Sequence, residues 1–446
     1  MDRRDFLKLA SCTGLSVIAP TAFGGRQVAS KPRVSFEPYT GTLVVCLNAG
    51  GGWDPTSFCD PKGAKSEADP NPMNASYLTD EIEQVGNIRY TPLPDTSLFQ
   101  DQAQQLQLTY SMRTFFETYY QRLLVVNGID QQTNGHDTGN RTTWSGRLGE
   151  GHPSIAAFAA GAFGKELPMA FMSFGGYAET AGIAPRVRAA GNAINVLGRL
   201  AYPQRIDPNN EQSGFHSTKV QELIDASQAG RDQALAANQG LPKIRSAINA
   251  MFTARSGSNE LKRLQEYLPD QLEQGLRGQA QLIIAAYRAG ICISANMDTG
   301  GFDTHGDHDA SHIPRLLELL DGADFFMQEA ERQGVGDKVL LCMGSDFGRT
   351  PYYNGGMGKD HWNVTSMMFM GAGIKGNRVV GATNEEHSAL GVTPNLDIDS
   401  SETARRIHTA DIHWGLRKLL GLEQSELASM FPLDFEGGGD PLPIFG

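Results

Sequence analysis

Five short clusters of aspartate and histidine stand apart from the rest of this 446-residue chain. Asp54 closes Asn48-Ala49-Gly50-Gly51-Gly52-Trp53-Asp54, and His136 opens His136-Asp137-Thr138-Gly139-Asn140-Arg141. Asp303 and His305 fall in Phe302-Asp303-Thr304-His305, Asp346 in Ser345-Asp346-Phe347-Gly348-Arg349, and Asp360 and His361 in Gly358-Lys359-Asp360-His361. Carboxylate and imidazole together suit zinc, manganese or iron, whereas a more oxygen-rich set suits calcium or magnesium. Taken singly, an aspartate after a strand is a turn former or helix cap. Five such clusters converging from distant positions make a divalent metal site the natural reading. His308, Asp309 and His312 extend the third cluster, but the four-residue spacing of the two histidines reads as the start of a solvated helix. His152, His216 and His387 stand in no cluster and read as structural, and His413 beside Trp414 reads as packing.

Strands must carry these clusters. Apolar or β-branched runs predict strands over Thr42 to Leu47, Arg122 to Val126, Ala170 to Ser173, Gly290 to Ser294, Lys338 to Met343 and Thr365 to Met370. The first, second, fourth and fifth run directly toward an Asp/His cluster. Helical periodicity covers Leu98 to Tyr120, Ser217 to Ala237, Asn259 to Ala289, His312 to Gln333 and Glu402 to Leu420, the last with Ser400-Ser401-Glu402 as its start. Strands alternating with helices predict an α/β fold, a doubly wound and mostly parallel sheet sandwiched by helices. In such a sheet the loops beyond the strand carboxyl ends share one edge, where ligands bind. Residues 60–96, rich in Pro, Asn and Asp, read as an excursion, and residues from about 175 to 288 as a helical insertion.

The chain is 40% hydrophobic and 20% charged, which excludes a disordered chain, and its net charge is −12. That acidity excludes nucleic acid as a partner, since phosphate binding needs clustered Lys and Arg. Arg3 and Arg4, then Phe6-Leu7-Lys8 and a short apolar run to Pro20, form a twin-arginine secretory signal over residues 1–30, with residues 31–446 as the mature domain. This predicts the Tat translocase as a partner during export and a periplasmic or secreted location. The run is too short to span a bilayer, and no later stretch is long and apolar enough for a stable membrane span. The mature chain keeps Cys46, Cys59, Cys292 and Cys342 without a C-x-x-C pair, so a thiolate zinc site is not expected.

The twin-arginine start, GGGWDP, the His136 segment ending in Trp144-Ser145-Gly146, FDTH, SDFGRTPYYN and GKDH occur in this order. The pattern resembles the Tat-exported, sulfatase-like family of unknown function in the alkaline phosphatase superfamily. The resemblance implies an alkaline-phosphatase-like α/β domain and a hydrolase of phosphate or sulfate esters, with small-molecule or polymer-borne substrates. It implies zinc, manganese or calcium held by Asp54, Asp303, His305, Asp346, Asp360 and His361. Phe347 stands where the superfamily pattern places another ligand. Counting back from Gly146 reaches His136, and Thr138 is the nearest hydroxyl and the implied nucleophile. Arg141 or Arg349 would hold the oxyanion. Cys59-Asp60-Pro61-Lys62-Gly63 lacks the arginine of the sulfatase cysteine motif and is set aside. Two further readings remain open: a metal-binding export or assembly factor without catalysis, and a scaffold that binds a partner through the helical insertion.

Overall fold

The runs Leu43–Ala49, Leu123–Asp130 and Val339–Ser345 are mostly apolar and buried along their whole length, which is how strands covered on both faces read. In the computed structural model, described over residues 37–92, 110–164, 167–189, 202, 204–207, 210–238, 244, 261–401 and 404–446, these runs form the middle of one large sheet. Its strands are β1 (Leu43–Ala49), β4 (Leu123–Asp130), β5 (Phe171–Ser173), β6 (Arg186–Arg188), β7 (Ser294–Thr299), β8 (Val339–Ser345), β11 (Val364–Gly371), β12 (Arg378–Val380) and β15 (Ile407–His408). The order is β12-β4-β11-β8-β1-β7-β5-β6, with β15 also on β4. Only β11 runs against the others, pairing antiparallel with β4 and β8. Short two-stranded pairs lie outside the sheet: β2 (Glu83–Val85) with β3 (Ile88–Tyr90), β9 (Gly348–Arg349) with β10 (His361–Trp362), and β13 (Gly391–Val392) with β14 (Ile398–Asp399).

The helices are α1 (Met112–Tyr119), α2 (His136–Ser145), α3 (Ile155–Phe163), α4 (Thr218–Asn238), α5 (Leu261–Leu264), α6 (Gly275–Arg288), α7 (His308–Arg332), α8 (Thr409–Leu419) and α9 (Glu426–Met430). Alternation along β1 shows how they sandwich the sheet. Leu43, Val45, Leu47 and Ala49 join a core with Phe115 of α1, Ile283 of α6 and Leu316 and Leu320 of α7. Val44 and Cys46 join a second core with Phe158 of α3 and Ile412 and Leu416 of α8. Each such fully buried aliphatic side chain contributes roughly 1.5–3 kcal/mol. The doubly wound, mostly parallel α/β layout is thus as expected, within one compact unit, Phe36–Gly446.

Several boundaries differ from the sequence expectation. The fourth strand begins at Ser294, not Gly290: α6 ends at Arg288 with Ala289 as its cap, Gly290 turns with φ +73°, and Ile291-Cys292-Ile293 are a buried lead-in. The expected helix from Asn259 to Ala289 is two helices, because Pro269 cannot continue the ladder. The last helix starts at Thr409, with Asp411 Oδ2 accepting from the His408 N–H at 3.1 Å; the 402 position expected to start it lies outside the described residues. The third strand of the expected set is short, Phe171–Ser173. Within the residues read as an insertion, β6 extends the sheet and α6 covers it, so this stretch is partly integral to the fold. The twin-arginine segment and most of Leu98 to Met112 lie outside the described residues. Cys46, Cys59, Cys292 and Cys342 are free and buried. Among the described residues no helix is long and apolar enough to cross a membrane.

Candidate metal centre

Five chain segments meet beyond the carboxyl ends of β1, β4, β7 and β8. The end of β1 turns through Gly50-Gly51-Gly52. Gly51, at φ +123°, gives its N–H to Asp346 Oδ2 at 3.0 Å, and a Cβ there would lie 2.5 Å from the Asp303 amide nitrogen. Only glycine lets these three loops close together. The loop after β7 carries Asp303 and His305, the loop after β8 carries Asp346, and β10 carries His361 opposite Arg349 of β9. His136 opens α2, which follows β4. The 303–306 and 354–361 loops are stitched by Lys359 N–H to Thr304 O at 3.1 Å and Asn354 Nδ2 to His305 O at 3.1 Å.

Proton placement follows from the outer partners. His361 Nδ1 lies 2.9 Å from the Asn134 carbonyl, which only accepts, so Nδ1 carries the hydrogen. His305 Nδ1 donates to Asp360 Oδ1 at 2.7 Å, and His136 Nδ1 to Asp346 Oδ2 at 2.9 Å. With Nδ1 so engaged, the Nε2 atom of each ring points at Asp303. His305 Nε2 and His361 Nε2 stand 3.0 Å from each other, and 3.0 and 3.1 Å from Asp303 Oδ1. His136 Nε2 is 3.5 Å from Asp303 Oδ2. Two ligands bonded at about 2.1 Å and at right angles stand about 3.0 Å apart, so the spacing fits one divalent ion. Ligand histidines whose other ring nitrogen is held by a carboxylate or carbonyl are the usual arrangement around such ions. His136, Asp303 and His361 bring one donor atom each within 4.8 Å of one another. Phe347 packs against the His136 and His361 rings at 4.9 and 4.3 Å, forming an apolar wall where a further ligand was expected.

The electrostatics agree. Burial pushes the Asp303 carboxyl up, but Arg349 and His361 reverse this and hold it down at about 2. Asp360 is lowered by its bond from His305. Asp346 is raised by burial, and its Oδ1 is buried without a hydrogen-bond partner. The Asp303 and His305 side chains are 45% and 46% exposed, so the cluster opens to solvent.

Asp54 stands apart from this cluster. It is fully buried and its carboxylate is saturated by Lys359 Nζ at 2.6 Å, Thr56 N–H at 3.0 Å, Thr56 Oγ1 at 2.7 Å and His308 Nε2 at 3.2 Å. Burial raises Asp54, yet Lys359 and the two histidines hold it well below the ordinary carboxylate range. The expected role of Asp54 as a metal ligand therefore gives way to an internal ion pair. Arg349 is also redirected from oxyanion binding. It is fully buried, donating to the carbonyls of Gly51, Gly52 (2.8 Å) and Lys359 (3.0 Å) and to Asp303 Oδ1 at 2.8 Å. Arg141, half-buried on α2, donates to the Leu148 carbonyl at 2.7 Å, and Thr138 lies on the first turn of the same helix. His308 and His312 do not start a solvated helix; both are fully buried in the Asp54 network. Their four-residue spacing puts them on one helix face, which was the available signal. Lys359, Asn134 and Asn354 were missed, because no spacing rule marks a lone lysine or a backbone carbonyl.

A family model described as "Protein of unknown function (DUF1501)" matches residues 42–432. No curated protein matches the sequence. Solved structures similar to the chain include Ps i-CgsB in complex with k-i-k-neocarrahexaose, at 8% identity and TM-score 0.37, covering 89% of this chain and 75% of that one. The PsFucS1 sulfatase from Pseudoalteromonas sp. matches at 9% identity and TM-score 0.34, covering 86% and 68%. A 2-O GAG sulfatase matches at 9% identity and TM-score 0.31, covering 87% and 73%. At these scores nothing about site or substrate transfers to this chain.

Proposed function

From the premise that the chain belongs to the DUF1501 family of proteins of unknown function, we propose that it is an exported, metal-dependent hydrolase of phosphate or sulfate esters. The observation that carries the reading is the set of three imidazole Nε2 atoms turned onto the Asp303 carboxylate, each backed by its own outer acceptor. The imidazole-rich donor set favours zinc or manganese over calcium, which prefers oxygen ligands. His136, Asp303, His305 and His361 would hold a divalent ion, which would supply Lewis-acid polarisation of an ester oxygen. The chain's own residues do the rest. Arg349 neutralises Asp303 from below while the half-exposed rings face solvent, leaving an open approach for an ester. Thr138 is the hydroxyl nearest in sequence to His136 and the candidate nucleophile. The motif order from GGGWDP to GKDH supports the ester class, and Arg3-Arg4 supports Tat export.

Elemental analysis of purified protein, wild type beside Asp303→Ala and His361→Ala, joined to a panel of phosphate and sulfate esters, tests this. Stoichiometric zinc or manganese in wild type, with metal and turnover both lost in the variants, is the expected result. Wild type without metal overturns the reading. Stoichiometric metal with no turnover on any ester favours the non-catalytic metal-binding factor.

A further inference from the structure

We propose that the buried network around Asp54 is a brace that sets the geometry of the metal ligands, with Thr304 and Lys359 as its positioning residues. This rests on the metal reading of the neighbouring cluster. The hydrogen bonds can be assigned atom by atom. The Asp54 amide is only a donor, and it meets His312 Nε2 at 2.9 Å. The His312 proton is therefore on Nδ1 and goes to Thr304 Oγ1 at 3.1 Å. The Thr304 hydroxyl then gives its hydrogen to His308 Nδ1 at 2.7 Å. That puts the His308 proton on Nε2, which donates to Asp54 Oδ2 at 3.2 Å. The ring of bonds starts and ends on Asp54, and every donor in it has one acceptor.

Lys359 closes the network electrically. Its ammonium, fully buried, contacts Asp54 Oδ2 at 2.6 Å, Asn74 Oδ1 at 3.2 Å and Thr56 Oγ1 at 3.5 Å. It occupies the carboxylate that an ion would otherwise use. The sequence positions of the anchors carry the inference. Thr304 lies between the ligands Asp303 and His305, and Lys359 immediately precedes Asp360 and His361. The end of β1, α7 and both ligand loops are thus pinned to one carboxylate. A fixed ring of directional bonds under the ligands holds their donor atoms at their spacing, and outer residues that orient ligands typically tune affinity by about 10–100-fold.

Cobalt(II) titration followed by visible absorption, with thermal melting of each protein, tests the brace. Thr304→Val keeps the shape and removes the hydroxyl, whereas Thr304→Ser keeps the hydroxyl. The expected result is about 10–100-fold weaker cobalt binding and an altered absorption band in Thr304→Val, with wild-type affinity and band in Thr304→Ser. A folded Thr304→Val that binds cobalt as wild type does overturns the brace. If Thr304→Val does not fold, the neutral pair Asp54→Asn with Lys359→Met decides in the same way: loosened binding supports the brace, and wild-type binding overturns it. Wild type that takes no cobalt at all overturns the metal reading and the brace with it, a result distinct from the other two.

Discussion

Acid sensitivity can be worked out from two buried histidines, His413 and His387. Burial drives the His413 imidazole down to about 3 and the His387 imidazole down to about 4, against an ordinary value of 6.5. His413 donates to the Thr143 carbonyl at 2.8 Å, and both ring nitrogens of His387 are buried without a hydrogen-bond partner, Nδ1 lying 3.7 Å from Asp60 Oδ2. The unfolded chain takes up a proton at each residue as pH falls through 6.5, while the folded chain does not until about 4 or 3. Stability is therefore full above pH 6.5 and is lost as pH falls from there toward the folded values. Between pH 7 and pH 4 each residue costs about 3 kcal/mol at 1.36 kcal/mol per pH unit. Two such costs rival the roughly 5–15 kcal/mol that holds a domain folded. Asp303, at about 2, titrates below this window, whereas His308, His312 and His152, also lowered by burial, add losses of the same sign within it, so the His413→Gln comparison isolates the His413 share. Urea unfolding at pH 7, 6, 5 and 4 reads the effect directly. His413→Gln keeps a donor for Thr143 and removes the titration, so its stability should fall less steeply with pH, by about one proton. A wild-type unfolding free energy that stays flat from pH 7 to pH 4, or a His413→Gln slope equal to wild type, refutes the reasoning.

Three further outcomes are expected. Zinc at about 100 times its Kd should raise wild-type stability by about 2.7 kcal/mol and leave His361→Ala unmoved, as read by calorimetric melting. Gly51→Ala places a Cβ 2.5 Å from the Asp303 amide at φ +123°, so it should cost on the order of 3 kcal/mol and weaken metal binding, measured by melting and metal titration. Arg3→Lys with Arg4→Lys should stop export, and cell fractionation should then find the chain in the cytoplasm; export at the wild-type level removes the Tat assignment.

What the sequence revealed and what it hid divide along physical lines. The sheet was legible because β1 and β8 are unbroken apolar runs, and a run of that kind has little choice but to be covered on both faces. The polar clusters after those strands were legible for the same reason: a strand's carboxyl end fixes where the next loop begins. The β7 strand was displaced because its own residues, Ser294 to Thr299, are more polar than the buried lead-in before them. At the site, His136, Asp303, His305, Asp346, Asp360 and His361 all gather, from both sides of the sheet's middle. The role of Asp54 was illegible because it depends on Lys359, about three hundred residues away, and no local pattern couples an aspartate to so distant a lysine.

The two aspartates show how one fold can treat identical groups oppositely. Asp54 is fully enclosed, and an unpaired carboxylate there would be prohibitively costly, so the chain supplies its own ammonium at 2.6 Å. Asp303 is nearly half exposed, and the chain supplies it with a guanidinium on one oxygen and three imidazole nitrogens around both. Each of the three histidines is held at Nδ1 by an outer partner, Asp346, Asp360 or Asn134, and turns Nε2 inward toward Asp303. That arrangement, built by three different segments, suits a divalent cation, and His136, Asp303 and His361 bring one donor atom each within 4.8 Å of one another.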